Sequence, residues 1–250
     1  MSTINNTFIN IEFFNKIWYN MHIQVDNICR ERGKTIIMNR KTLPQVFGWM
    51  FVGLMITFIS AYIVSINTNM LENIYSGNFY WIFVVVELGL AIWLSARIHK
   101  MSGTTATILY LIYTFITGLT LSFIFVAYKM SSIIVIFLVT SILFGIFALI
   151  GKYTNIDLTK FGTYLLMGLV GLLILSIINI FLANGTINMI ASIIGILIFL
   201  GYTAYDVQKI MKLDGMLEER NYAIIGAFSL YIDFINIFLD LLQLFGDSKD

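Results

Sequence analysis

The sequence is poor in charged residues, cysteine and proline, and each scarcity excludes a class of protein. Only 12% of its 250 residues are charged and 59% are apolar, which is far too apolar for an ordinary soluble domain. The net charge of +1 argues against nucleic acid as a partner. The single cysteine, Cys29, excludes an internal disulfide framework and a metal site built from cysteines. With one proline and no linker rich in Ser or Gly, nothing marks a second domain.

Long apolar runs make up most of the chain. A bilayer core about 30 Å thick requires about 20 apolar residues of helix to cross it. Seven stretches meet that length and predict an all-α integral membrane protein with seven transmembrane helices, at residues 46–66, 79–98, 105–127, 132–151, 161–182, 187–207 and 222–245. The predicted organisation is a cytoplasmic segment 1–45, a transmembrane domain 46–245 and a short tail 246–250.

The first 45 residues differ from the rest. Between Phe8 and Val25, apolar residues recur at helical spacing, which predicts an amphipathic helix on the inner leaflet, with a disordered polar tail as the alternative. The basic cluster from Arg30 to Lys41 would hold such a helix against anionic lipid.

The basic residues predict the orientation. If the N-terminus is cytoplasmic, 13 of the 15 Lys and Arg residues lie inside, and only Lys129 and Lys249 lie outside. Because positive residues stay on the inner side, the expected arrangement is a cytoplasmic N-terminus and an outer C-terminus. The richness in Ile, Asn and Lys suggests an AT-rich bacterial genome, and hence a bacterial plasma membrane.

Acidic residues inside the predicted spans are the candidate functional groups: Glu87, Asp206, Asp233 and Asp240. Each costs about 3 kcal/mol at mid-membrane on insertion scales, so such residues face the bundle interior and find partners there. The last span carries polar residues at spacings of 4, 3, 4 and 3, which form one stripe on a helix: Ser229, Asp233, Asn236, Asp240 and Gln243. This pattern predicts that the stripe faces protein or a cavity rather than lipid.

Several segments resemble the Bax inhibitor-1 (transmembrane BAX inhibitor motif-containing) family. The most specific are "GYTAYDVQKI" and "AFSLYIDFINIFLDLLQLFG", and "ELGLAIWLSARIHKMS" and "YTFITGLTLSFIF" are similar to the second and third helices of that family. The resemblance covers roughly residues 40–246. It implies seven helices, with the seventh surrounded by the other six, and a calcium leak controlled by pH.

The resemblance also implies roles for individual residues. The paired aspartates of the family fall on Asp206 and Asp233, its second-helix acid falls on Glu87, and Arg97 is the nearest candidate for a basic latch. Calcium prefers carboxylate oxygens, and two neighbouring carboxylates in low dielectric share a proton. Asp206 and Asp233 are therefore the expected pH-sensing pair and transient calcium site, with Glu87, Asn236 and Asp240 as an accessory ion path.

Three other functions were weighed against a leak channel. A proton-coupled cation transporter also uses membrane acids, and a non-conducting regulator would act through protein partners, whose identity the sequence does not give. A diaspartyl intramembrane protease shares the Tyr205–Asp206 pair, but its second aspartate follows Gly-x-Gly, whereas Asp233 follows Leu-Tyr-Ile. We therefore expect no enzymatic activity and no cofactor; calcium ions, protons and the lipid bilayer are the expected partners.

Overall fold

The structure, a computed structural model, describes residues 42–75, 79–97, 101–213 and 219–249. The helices are α1 (Thr42–Ile66), α2 (Thr68–Tyr75), α3 (Phe79–Arg97), α4 (Gly103–Leu121), α5 (Ile124–Ala127), α6 (Met130–Tyr153), α7 (Gly162–Leu182), α8 (Gly185–Leu213) and α9 (Glu219–Phe245), with a 3-10 turn at Leu158–Phe161 before α7. The predicted amphipathic helix between Phe8 and Val25 lies outside the described residues.

Six segments of the described chain are long and apolar enough to cross a membrane: Leu43–Ile66, Gly103–Ala127, Met130–Tyr153, Leu158–Asn179, Gly185–Lys212 and Tyr222–Phe245. A shorter apolar stretch, Val85–Leu94, lies within α3. The all-helical, multi-pass character expected from the apolar runs is confirmed.

Helix α9 is the most deeply buried of the long helices. The most apolar part of Tyr222–Phe245 is 94% buried within the protein, compared with 17% for Leu158–Asn179. It packs against α1, α4, α6 and, most extensively, α8. A helix covered by protein in this way tolerates polar side chains, because they are shielded from the hydrocarbon of the lipid.

Helices α1 and α4 approach closely because small residues lie between them. A Cβ atom on Gly118 would lie 2.6 Å from the carbonyl oxygen of Thr57, which is closer than real side chains come. Gly53 leaves room for the ring of Tyr110, whose hydroxyl donates to the carbonyl of Trp49 at 3.0 Å. Small residues drive helix association in membranes in this manner, because they let the backbones meet.

The segment formed by α4 and α5 is interrupted between Leu121 and Ile124. The side chain of Tyr75 from α2 forms hydrogen bonds with the backbone at this break. The Tyr75 hydroxyl donates to the carbonyl of Thr120 at 3.0 Å and accepts from the backbone N–H of Phe123 at 3.1 Å. Burial raises the pKa of Tyr75 to about 12, so the hydroxyl keeps its proton at neutral pH. It therefore satisfies backbone groups that the helix break releases.

The C-terminal tail pairs with the loop between α5 and α6. The backbone N–H of Lys129 donates to the carbonyl of Asp247 at 2.9 Å, and its ammonium group lies 2.8 Å from the Asp247 carboxylate. The backbone N–H of Lys249 donates to the carbonyl of Ala127 at 2.9 Å. These bonds attach the end of the chain to the same side of the bundle as the start of α6.

At the opposite end of the bundle, Gln208 of α8 fixes the loop before α7. Its side-chain amide donates to the carbonyl of Ile156 and accepts from the backbone N–H of Leu158, both at 2.8 Å. The Lys212 ammonium beside Asp157 lowers the pKa of that carboxyl to about 2, so the exposed pair is charged at neutral pH.

We predict that Gln208→Leu loosens this loop. Loss of two neutral hydrogen bonds removes about 1–2 kcal/mol of local stability, so amide hydrogen exchange at Leu158 should accelerate roughly tenfold. The control is Thr203→Val, because the Thr203 hydroxyl bonds only the carbonyl of Phe199 in its own helix. Equal exchange at Leu158 in both variants would contradict the assigned role of Gln208.

Candidate functional site

The polar stripe of α9 is buried. Ser229 is 8% exposed, Asp233 and Asn236 are 0% exposed, and Asp240 is 2% exposed. Only Gln243, near the end of the helix, is half-buried. The prediction that the stripe faces protein rather than lipid is therefore confirmed.

Asp206 of α8 lies against this stripe. Its side chain is 2% exposed, and its Oδ2 accepts a hydrogen bond from the hydroxyl of Ser229. Ser229 lies one helical turn before Asp233, on the same face of α9. The structure thus brings Asp206 to the face that carries Asp233, and a shared proton between the two carboxyl groups stays a prediction.

Lys209, one of the basic residues that the orientation argument places inside, adds a buried positive charge near Asp206. It lies one turn after Asp206 on α8 and is 4% exposed. Its ammonium group lies 5.1 Å from the centre of the Tyr205 ring, a favourable cation–π contact. Among residues whose exposure the structure describes, it is the one buried Lys or Arg. The spacing of three residues from Asp206 was the signal in the sequence.

Arg97, the basic residue implied as a latch, ends α3 with an exposed side chain. Its role as a latch stays a prediction.

Glu87 of α3 has a separate, well-satisfied environment. It is 0% exposed, and each carboxylate oxygen has its own donor, because the hydroxyls of Thr117 and Thr120 on α4 lie at 2.7 and 2.8 Å. The sequence analysis missed both threonines. Their spacing of three residues, which places them on one face of a helix, was the available signal.

A polar network connects Glu87 to α9. The hydroxyls of Tyr231 on α9 and Thr57 on α1 lie 2.7 Å apart, and the Thr57 hydroxyl also donates to the carbonyl of Thr114 on α4 at 2.9 Å, one turn before Thr117. Because residues two positions apart on a helix do not face each other, this network meets α9 on a different face from Asp233. Helices α1, α3, α4 and α9 are thus joined on one side, and α8 carries Asp206 on the other.

Asp240 lies farther along α9, where its carboxyl group contacts α8 beside Gly195 and near Ser192. No group of three or more His, Cys, Asp or Glu side chains within the described ranges is arranged to hold a metal ion. A calcium site here would therefore consist of two carboxylates supplemented by neutral oxygens, which suits transient rather than tight binding.

Comparison with known proteins gives consistent matches across the transmembrane region. The family described as inhibitor of apoptosis-promoting Bax1 matches residues 39–250. A protein of Borreliella burgdorferi is 39% identical over 90% of this chain and 99% of its own length. The inner membrane protein YbhL of Escherichia coli is 38% identical over 83% of this chain and 92% of its own length.

We predict that Thr117→Val destabilises the protein by about 1–3 kcal/mol, because it keeps the side-chain shape but leaves one buried oxygen of Glu87 without its donor. The free energy of unfolding in mild detergent measures this effect. Thr140→Val is the matched control, since buried Thr140 bonds only the carbonyl of Ile136 in its own helix. Equal losses in the two variants would mean that the threonines do not support Glu87.

Proposed function

The chain belongs to the Bax inhibitor-1 family, and from that membership we propose that it is a pH-sensitive calcium leak channel. The gate is the pair of aspartates Asp206 and Asp233. When the gate is closed to cations, the two carboxyl groups share one proton; when both are ionised, they offer two carboxylates to a cation. Calcium is the transported ion and binds the pair transiently. Asn236 and Asp240 extend the ion path along the stripe of α9, and Glu87, whose network meets another face of α9, is an accessory acid beside that path.

The observation that carries this proposal is the burial of both aspartates at the interface of α8 and α9. Asp206 is 2% exposed and Asp233 is 0% exposed, and the hydroxyl of Ser229 donates to Asp206 on the face that also bears Asp233. Two ionised carboxylates in such a setting repel each other and lack water, so a proton or a cation stabilises the pair.

Lys209 is the counter-charge we assign to this pair. Its buried ammonium lies one turn from Asp206, whereas the side chain of Arg97 is exposed. With Lys209 charged, the site is neutral when one aspartate holds a proton and carries one negative charge when neither does. The pair therefore binds a cation most favourably once its last proton has left.

The proposed architecture has seven spans, with α3 as the second and α9 at the centre of the bundle. Helix α3 has 19 residues, close to the length a bilayer requires, and α9 is the most buried of the long helices. The proposed orientation keeps the N-terminus cytoplasmic and the C-terminus outside, in a bacterial plasma membrane, and we propose no enzymatic activity.

The orientation predicts opposite labelling of the two ends. In intact cells, a membrane-impermeant maleimide should label a Ser248→Cys variant that also carries Cys29→Ser, because Ser248 lies in the exposed tail. The same reagent should label Cys29 of the unaltered chain only after the membrane is permeabilised. Labelling of Cys29 in intact cells would reverse the proposed orientation.

Flux measurements test the gate. Purified protein in dye-loaded liposomes should leak calcium with an initial rate that depends on pH. Asp206→Asn and Asp233→Asn should each flatten that dependence, because asparagine keeps the shape and the hydrogen bonding but does not ionise. Asp240→Asn should have a smaller effect, since Asp240 lies nearer the end of its helix.

The matched control is Asp157→Asn, the same chemical change at an exposed ion pair, which should keep the wild-type pH profile. If both gate variants kept that profile, the aspartate pair would be structural. Calcium movement that requires an opposing proton gradient would indicate a coupled transporter, and liposomes without any flux would indicate a regulator that acts through protein partners.

A further inference from the structure

A second group of buried oxygens lies at the other end of the interface between α8 and α9. We call it the Asp240 site and define it by Ser192, Gly195, Asn236, Asp240 and Gln243. The Ser192 side chain lies near the Asp240 carboxyl group. A Cβ atom on Gly195 would overlap the Asp240 carboxylate. Two small residues one turn apart on α8 therefore form the seat for this carboxylate.

The Asp240 site has more acceptors than donors. Three buried oxygens have no hydrogen-bond partner among the described residues: Asn236 Oδ1, Asp240 Oδ2 and Gln243 Oε1. Asn236 already uses its amide N–H to donate to the carbonyl of Ile232 at 2.8 Å. Asn236 and Asp240 are 0% and 2% exposed, so bulk water does not satisfy these oxygens, and leaving them unsatisfied is costly.

Protonation of Asp240 alone does not resolve this excess. One added proton turns one oxygen into a donor and satisfies at most one of the other two acceptors. The buried ammonium of Lys209 does not help either, since it lies 17 residues from Ser192 on the same helix, about 25 Å along its axis. At the end of the helix, Lys129 is already paired with Asp247. Neither of these two lysines therefore supplies a positive charge to the Asp240 site.

We propose that the Asp240 site binds a monovalent metal cation, for which Na⁺ is the probe. One carboxylate neutralises one positive charge, whereas a divalent ion would leave a net charge in an apolar interior. The carboxylate of Asp240, the amide oxygen of Asn236 and the hydroxyl oxygen of Ser192 are the ligands, and the Gln243 oxygen lies at the entrance. Hard cations prefer such oxygen ligands. Asn236 and Asp240 also belong to the calcium path proposed above, but cation binding at this site is measured as stability and does not require a leak.

The test compares thermal unfolding of the full chain in lipid nanodiscs, in sodium chloride and in choline chloride at equal ionic strength. The unfolding temperature of the wild type should rise with the logarithm of the sodium concentration, because an ion that binds only the folded state stabilises it. Asp240→Asn and Gly195→Ala should abolish this rise. Asn236→Leu, which removes one ligand, should shift the sodium concentration required by roughly tenfold.

Two controls isolate the site from general effects of substitution. Ser141→Ala is matched to Ser192→Ala, since half-buried Ser141 donates to the carbonyl of Phe137 in its own helix. Asp157→Asn is matched to Asp240→Asn at the surface. Both should keep the full sodium response, and Ser192→Ala should weaken it. If Asp240→Asn does not fold, Gly195→Ala and Asn236→Leu still decide the matter.

Three outcomes would overturn the proposal. The first is equal unfolding temperatures of the wild type in sodium and choline, and the second is a full sodium response in both Asn236→Leu and Gly195→Ala. The third is stabilisation by calcium chloride at lower concentrations than sodium chloride, lost in Gly195→Ala, which would reassign the site to a divalent ion. Because the readout is stability, absence of calcium flux in liposomes leaves it unaffected.

Discussion

Inside a bilayer, a polar group has no water to bond, so the protein itself must supply its partners. This constraint explains how the acids of this chain are placed. Glu87 receives one threonine hydroxyl on each oxygen, and Asp206 receives the hydroxyl of Ser229. The donors in both cases are short side chains on a neighbouring helix. The contacts that pack the helices together are therefore also the contacts that supply hydrogen bonds to the acids.

Helix α9 concentrates this chemistry because it is covered on several sides. Its polar stripe meets α8, where Asp206 and Lys209 lie, while Tyr231 bonds Thr57 of α1, whose hydroxyl also reaches a carbonyl of α4. A change of charge at the aspartate pair and a change at Glu87 would therefore act on two faces of one helix. Such an arrangement suits a protein in which proton binding alters helix packing.

The stripe is also uneven along its length. At one end, Asp206 has a hydroxyl donor and a buried ammonium group one turn away, whereas the Asp240 site has acceptor oxygens in excess. That contrast is the physical reason for proposing different partners at the two ends: an exchangeable proton or calcium ion at the aspartate pair, and a monovalent cation at Asp240.

The sequence by itself determined the helical membrane class, the approximate spans and the burial of the stripe, since apolar run length and helical periodicity are local properties of the chain. It did not identify Thr117 and Thr120 as the donors to Glu87, Tyr75 as the partner of the break before Ile124, or Ser192 as a neighbour of Asp240. Those contacts join residues from different helices, and a short polar side chain looks the same in the sequence whether it faces lipid or an acid. Lys209 shows the same limit: its charge and its spacing from Asp206 were evident in the sequence, but only the packing of α8 decided that it is buried.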